Sequence, residues 1–516
     1  MLSKENSSFR GISKDIQNDL ISSISSVLKT EIKNQIKDSS FISIILDETS
    51  DIKHKSQLSV VFRYVFEGVV YERFVEFKDV SADRTANGLF EVIKILLEDY
   101  GISANGISDK LVAQCYDGAS VMSGHLTGLQ SRVKEIAKNA DFVHCMAHRL
   151  NLVLEQSLCS KKATSKCRVF FLTVKGISTF FSSSSKRIDA LVNYINRQIP
   201  TVSDTRWNYM SHVLHVIYDN YDNLVIFFEE VKSDEDDTWD ADTQCKAIGF
   251  LNFLNDVGNR FLISALKYIL GKSDIVYNTL QKKSFDVVHC QECVNNFISD
   301  IKNNKDHKFE ESWKFATDSE NAVLNRKESK STYKDLYDEI VGTISDEVES
   351  RFESLSSYTF MNLLNHHKYK EYKLSFPENL LNSLRMKYNN IFNYVSLKIE
   401  LTSLYENDYV KTFSISDLTD YLVSFNLDAV YPQTYLLAIL ILTVPSSSAS
   451  AERSFSALKR IHTAKRSAQT QGRMVDLNLL SIEKELLMKL KRCPFFYDKV
   501  INEFVKKSRN IELIYR

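Results

Sequence analysis

The stretch SIILDETSD, residues 43–51, is an apolar run that ends on an acid. Ile44, Ile45 and Leu46 give way at Asp47 to a patch with carboxylates at 47, 48 and 51. The β-branched and aromatic character of FISIIL (41–46), LSVVFRYVF (58–66) and VVYERFVEF (69–77) predicts three strands. Glu67-Gly68 reads as the turn of a hairpin between the last two. NGLFEVIKILLEDYG (87–101) has helical spacing and closes on Gly101. KLVAQCYD (110–117) is a second buried strand that ends in an acid. A helix through LTGLQSRVKEIAKN, a short strand FVHC (142–145) and the helix MAHRLNLVLEQSL follow. A hairpin first and crossovers after it imply a mixed sheet covered by helices.

Outside this block the pattern is helical. Ile16, Leu20, Ile24, Val27, Leu28 and Ile32 mark an amphipathic N-terminal helix. Strand signals almost vanish from about 165 to 430, where Trp207, Met210, Leu214, Ile217, Tyr221, Leu224 and Phe228 step by three and four. Two polar stretches, 233–242 and 303–330, read as loops. A dense apolar segment after 430 leads into VPSSSASAERSFSALKRI and a last helix through LLSIEKELLMKLK. The expected segments are 1–40 (helix), 41–164 (sheet block), 165–430 (helical block), 431–490 (late apolar segment and helices) and 491–516 (tail).

Composition bounds the function. The 516 residues exceed one ordinary core, and only 5 prolines and 14 glycines favour long helices over a turn-rich fold. A net charge of −1 removes bulk basicity as an argument for nucleic acid, so that case rests on local patches. Eight scattered cysteines fit reduced thiols in the nucleus or cytoplasm. The first twenty residues have no apolar signal core, and YLLAILILTVP is too short to span a bilayer, so no membrane partner is expected.

Asp47 and Asp117 each stand at the carboxyl end of an apolar strand, where sheets with crossover helices carry their sites. Two such carboxylates side by side suit a hard divalent cation, Mg²⁺ or Mn²⁺. Equally, each aspartate could simply cap the turn that follows. Glu452, Phe455, Ser456 and Lys459 share one face of a helix starting near 449, and Arg453, Lys459, Arg460, Lys465, Arg466 and Arg473 follow with no acid among them. That is either a third ligand beside a phosphate track or a solvated basic face whose glutamate balances the helix dipole.

ILDETSD, CYDGASVMSG, HCMAHRLNL, DTRWN and VPSSSASAERSFSALKRI occur in that order, and together they resemble the hAT (hobo/Activator) superfamily of DNA transposases. The likeness is greatest to the subgroup of the zinc-finger MYM-type and protein-kinase-inhibitor repressor-like proteins. It covers residues from about 5 to about 490. It implies an α/β ribonuclease-H-like core interrupted by a large all-α insertion, with a helical C-terminal dimerisation region over 431–490.

The resemblance also implies an acidic triad of Asp47, Asp117 and Glu452 holding two Mg²⁺ or Mn²⁺ ions that drive hydrolysis and strand transfer on DNA. Glu48 and Asp51 fall outside that motif as bystanders. Arg206 and Trp207 match an Arg-Trp pair whose indole stacks on an extruded base, although Trp207 also starts the apolar stripe. Arg453, Lys459 and Arg460 would meet DNA, and Cys145 and His148 match a Cys-x-x-His that reads as a structural contact. DNA and a second copy of the chain, as homodimer or higher oligomer, are the partners implied, and the nucleus is the location. No cysteine or histidine precedes Asp47, so the family's usual zinc finger is not in that segment. The alternative is a transposase-derived dimerisation or regulatory protein without catalysis.

Overall fold

In the computed structural model, which describes residues 13–102, 106–160, 165–201, 207–234, 237–283, 286–318 and 329–506, five strands form one mixed sheet. They are β1 (Ile42–Ser50), β2 (Ser56–Phe66), β3 (Val69–Asp79), β4 (Leu111–Tyr116) and β5 (Asp141–His144), in the order β3-β2-β1-β4-β5. β1 pairs antiparallel to β2, and β2 to β3; β4 lies parallel to β1 and to β5. The central strands are buried along nearly their whole apolar length, as strands covered on both faces are. The β2–β3 hairpin turns through Glu67 (φ 50°) and Gly68 (φ 77°), the two left-handed positions a tight two-residue turn demands.

β1 does not stop at Leu46. Its pairing with β2 runs on through Asp47↔Ser59 to Ser50↔Ser56. Ser56 and Gln57 are buried polar residues that extend β2 beyond its apolar run, so hydrophobicity alone makes both strands too short. Asp51 then closes the loop: its carboxylate accepts from the backbone N–H of Lys53 (2.8 Å) and Lys55 (3.0 Å).

The helices that position the site are α1 (Lys14–Asp38), α2 (Ala86–Asp99), α3 (Pro432–Thr443), α4 (Ala449–Ile461) and α5 (Gln471–Ile482). Ser13 caps α1 and Thr85 caps α2 through their hydroxyls, and α3 opens on Pro432, whose missing N–H costs nothing there. Alternation along β2 assigns the two sheet faces. Phe62 meets the Tyr100 ring at 5.3 Å just after α2, and Tyr64 donates to Gln35 of α1 (2.8 Å). On the other face, Arg63 Nε donates to the Leu442 carbonyl of α3 (2.8 Å), and the Ser59 and Ser454 hydroxyls bond at 2.8 Å. That second face lies under α3 and α4.

Two compact units divide the chain. The sheet belongs to one built from Met1–Met146, Gln281–Val288 and Ser357–Arg516; the other comprises Ala147–Leu280 and His289–Ser356. The second unit is helical in its described residues. Its long helix Val257–Leu280 buries Phe261, Leu262, Ile263, Ala265, Leu266 and Ile269, nearly its whole circumference, as a helix inside a bundle does. Arg260, also buried, donates to the carbonyls of Phe315 and Ala316 (3.0 Å each), satisfying the end of helix Lys305–Thr317.

The stripe from Met210 to Phe228 is buried, but it belongs to two helices, Trp207–Asp219 and Tyr221–Lys232, separated at Asn220. The stretch 303–330, expected as a loop, contains helix Lys305–Thr317; its buried residues Phe309, Ser312 and Ala316 make too thin a stripe to stand out from a polar sequence. Residues 357–430, placed with the insertion on the loss of strand signal, cluster with the sheet unit.

Candidate functional site at the sheet edge

Asp47 lies in β1 opposite Ser59, and Ser59 bonds to Ser454 of α4. Paired residues in neighbouring strands point to the same face. Asp47 therefore stands on the face that α4 covers. The parallel register of β1 and β4 runs through Ile45↔Cys115. Asp47 and Asp117 each follow this pair by two residues, Asp47 still paired within β1 and Asp117 just past the end of β4. Both acids are half-buried.

Each acid also makes a local bond of the kind a turn-capping aspartate makes. Asp47 Oδ1 accepts from the Glu48 N–H at 2.9 Å, and Asp117 Oδ1 from the Ala119 N–H at 3.3 Å. Gly118 has a separate reason to be glycine: a Cβ there would lie 2.5 Å from Cε1 of His144. Gly118→Ala is expected to lower unfolding stability by about 1–3 kcal/mol, the usual cost of overpacking, read as a lower urea midpoint at unchanged slope.

Glu452 is half-buried on α4, on the flank it shares with Lys459. Ser454 and Leu458 are buried, and Phe455 stacks on Phe77 of β3 at 6.0 Å. Carboxylate oxygens at adjacent strand ends are the donors a hard cation such as Mg²⁺ takes, so the chemistry of Asp47 and Asp117 fits two ligands of such an ion. Among the described residues, no three His, Cys, Asp or Glu side chains form a group that could hold a metal ion.

The other expected residues have mixed placements. Arg453 is held by its own unit: it donates to Ser450 Oγ (2.6 Å) and the Gln281 carbonyl (3.2 Å), with Glu72 at 3.8 Å. Lys459 and Arg460 are exposed on α4. Cys145 is buried, and its sulfur accepts from the Ser448 N–H at 3.3 Å while the Met146 N–H donates to Ser446 (3.0 Å), tying the end of β5 to the serine-rich entry of α4. His148 lies on helix Met146–Glu155, which falls largely in the other unit. Arg206 lies outside the described residues; Trp207 begins helix Trp207–Asp219, and its side chain is likewise outside them.

The sequence reading missed what binds α4 to the sheet. Arg63 and Glu72 are register partners on β2 and β3, almost wholly buried, with a 2.7 Å ion pair. Burial alone would raise the Glu72 pKa, but Arg63, the Ser450 hydroxyl and Lys283 outweigh it and hold the group below its ordinary value. The reading also set aside Glu48 and Asp51. Glu48 pairs with Arg84 at 2.6 Å, and Asp51 is buried next to His462. An arginine inside β2 was the available signal for the first pair; nothing in the sequence marks His462.

Two regions of the chain match known protein families. Residues 1–128 match the family described as ZMYM1/FAM200, RNase-like domain, and residues 400–486 match the hAT family C-terminal dimerisation region. Asp47 and Asp117 fall in the first match and Glu452 in the second. The human 52 kDa repressor of the inhibitor of the protein kinase is 22% identical over 286 residues, which cover 53% of this chain and 36% of that protein. Its mouse counterpart is 22% identical over 292 residues, covering 53% and 37%. The chain thus matches little more than a third of the length of these relatives. No helix among the described residues is long and apolar enough to cross a membrane. With an RNase-like match over the strands that carry two of the acids and a dimerisation match over the helix that carries the third, the chain is similar in these two regions to hAT-like proteins and the ZMYM1/FAM200 group.

Proposed function

We propose that this protein acts on DNA as a hAT-type transposase, cutting and joining phosphodiester bonds at the edge where β1 and β4 end. What supports this reading is the parallel pairing of β1 and β4 through Ile45↔Cys115, two residues before Asp47 and Asp117, with Asp47 on the face under α4. In this reading Asp47 and Asp117 hold Mg²⁺ or Mn²⁺ together with Glu452. Such ions, when bound, supply an activated water and stabilise the leaving oxygen. Lys459 and Arg460, exposed on α4, lie along the phosphate backbone. Arg453 contributes charge there while anchored to Glu72. Arg206 and Trp207 form a second DNA contact in the helical unit. Self-association through the 400–486 region and work in the nucleus complete the proposal.

A second reading is a dimerising regulatory protein without catalysis, supported by the similarity to a repressor protein. Incubation of the purified chain with Mn²⁺ and supercoiled or pre-cut DNA separates the two. Nicked circles or joined products that disappear with chelator are expected. DNA binding and dimers without any cleavage would replace the first reading by the second.

A further inference from the structure

Just beyond the acid-bearing part of β1, a pocket of about 430 Å³ opens between the β1 end and α4. Its size is within the range of small-molecule sites. Ile52, Phe455 and Leu458 supply apolar walls, Lys459 stands among the lining residues, and Asp51 and His462 supply polar groups. His462 is only 6% exposed, and neither ring nitrogen has a hydrogen-bond partner among the described residues. Its Nδ1 lies 3.7 Å from Asp51 Oδ2, an ion-pair distance too long for a hydrogen bond. Asp51 itself is fixed: Oδ1 accepts the two backbone bonds of its loop, and Oδ2 accepts from Gln57 Nε2 at 3.2 Å.

A buried imidazole with both nitrogens unpaired costs free energy that a bound group can recover. The neutral ring offers one donor and one acceptor, and the fixed carboxylate beside it adds an acceptor. A flat ring with apolar faces and an edge bearing both donors and acceptors complements this lining, and an attached phosphate complements Lys459. A nucleotide whose base is unpaired has these features. The location adds to the case, since the lining begins at Thr49, two residues past Asp47.

We propose that this pocket receives an unpaired nucleobase of a DNA strand lying along the sheet edge, its polar edge on His462 and Asp51 and its phosphate on Lys459. The proposal rests on the DNA-acting reading above and names a subsite for it.

Fluorescence anisotropy without divalent cations tests it, using a blunt duplex and the same duplex carrying a three-nucleotide unpaired overhang. The wild-type chain is expected to prefer the overhang by about tenfold, in line with the loss of one or two stacked bases. Ile52→Trp fills the mouth, and His462→Phe keeps a ring but removes both nitrogens. Each should reduce the preference to about twofold or less while blunt-duplex affinity, set mainly by phosphate contacts, changes little. Ile52 is 49% exposed, so its variant decides the matter if His462→Phe fails to fold. Wild-type binding to both duplexes with no preference, or a preference that survives Ile52→Trp, overturns the subsite alone. No binding to either duplex overturns the DNA-acting reading and the subsite together.

Discussion

Asp117→Asn is expected to reduce Mn²⁺-dependent cleavage and joining of DNA by about 10²–10³-fold or more, the scale on which one group that stabilises developing charge is felt. The substitution keeps the shape of the side chain and its bond from the Ala119 N–H, because the amide oxygen can still accept. Folding and duplex affinity should therefore stay near wild type while the charge that would hold a cation is gone. Asp47→Asn should behave alike. Cleavage by Asp117→Asn at the wild-type rate would leave Asp117 as a turn cap and remove the sheet edge as the site of chemistry.

The largest effect on stability is expected from Glu72→Ala. That change leaves the Arg63 guanidinium buried without its carboxylate, and broken buried pairs typically cost about 3–5 kcal/mol. It also removes the carboxylate that Ser450 and Arg453 share, weakening one of the links between the start of α4 and β3. Replacing both partners with apolar side chains, Arg63→Met with Glu72→Leu, should recover most of the loss, since no lone charge remains. Urea unfolding of the single and double variants measures this. A single variant within about 1 kcal/mol of wild type would show that the pair does not fasten the helix.

Acid should mimic the single substitution. The Glu72 carboxyl titrates below its ordinary value in the folded chain. Its contribution is therefore complete above the unfolded value and is lost as pH falls through the folded one. Unfolding stability followed downward through the carboxylate range should fall less steeply in the double apolar variant.

The strands and their approximate order of use were legible because β-branched residues, Gly68 and Gly101 announce local conformation. Register was not, because Asp47–Ser50 extend β1, and the buried Ser56 and Gln57 extend β2, past the apolar pattern that defines them in one dimension. That difference matters at Asp47. Read as the residue where a strand leaves its core, it is instead a paired position with a fixed facing. The neighbourhood of Asp47 and Asp117 could be suspected from two strand ends, and the parallel pairing of β1 with β4 supports it. Arg453 shows the opposite limit: its cationic context reads as a DNA contact, while its partners Glu72 and Gln281 lie far away in sequence. Asp51 likewise looked incidental because its loop bonds and its imidazole neighbour are properties of the fold.

The sheet unit is assembled from segments that are made far apart in time. β5 ends at His144, whereas α3, which helps cover one sheet face, begins at Pro432. About 290 residues must be added between them, some 15–60 s at ordinary ribosomal rates. For that interval the strands lack the helices that shield them, and Arg63 lacks the Leu442 carbonyl. Newborn chains should thus depend on chaperone protection until the C-terminal helices emerge, and shortened products ending before α3 should aggregate.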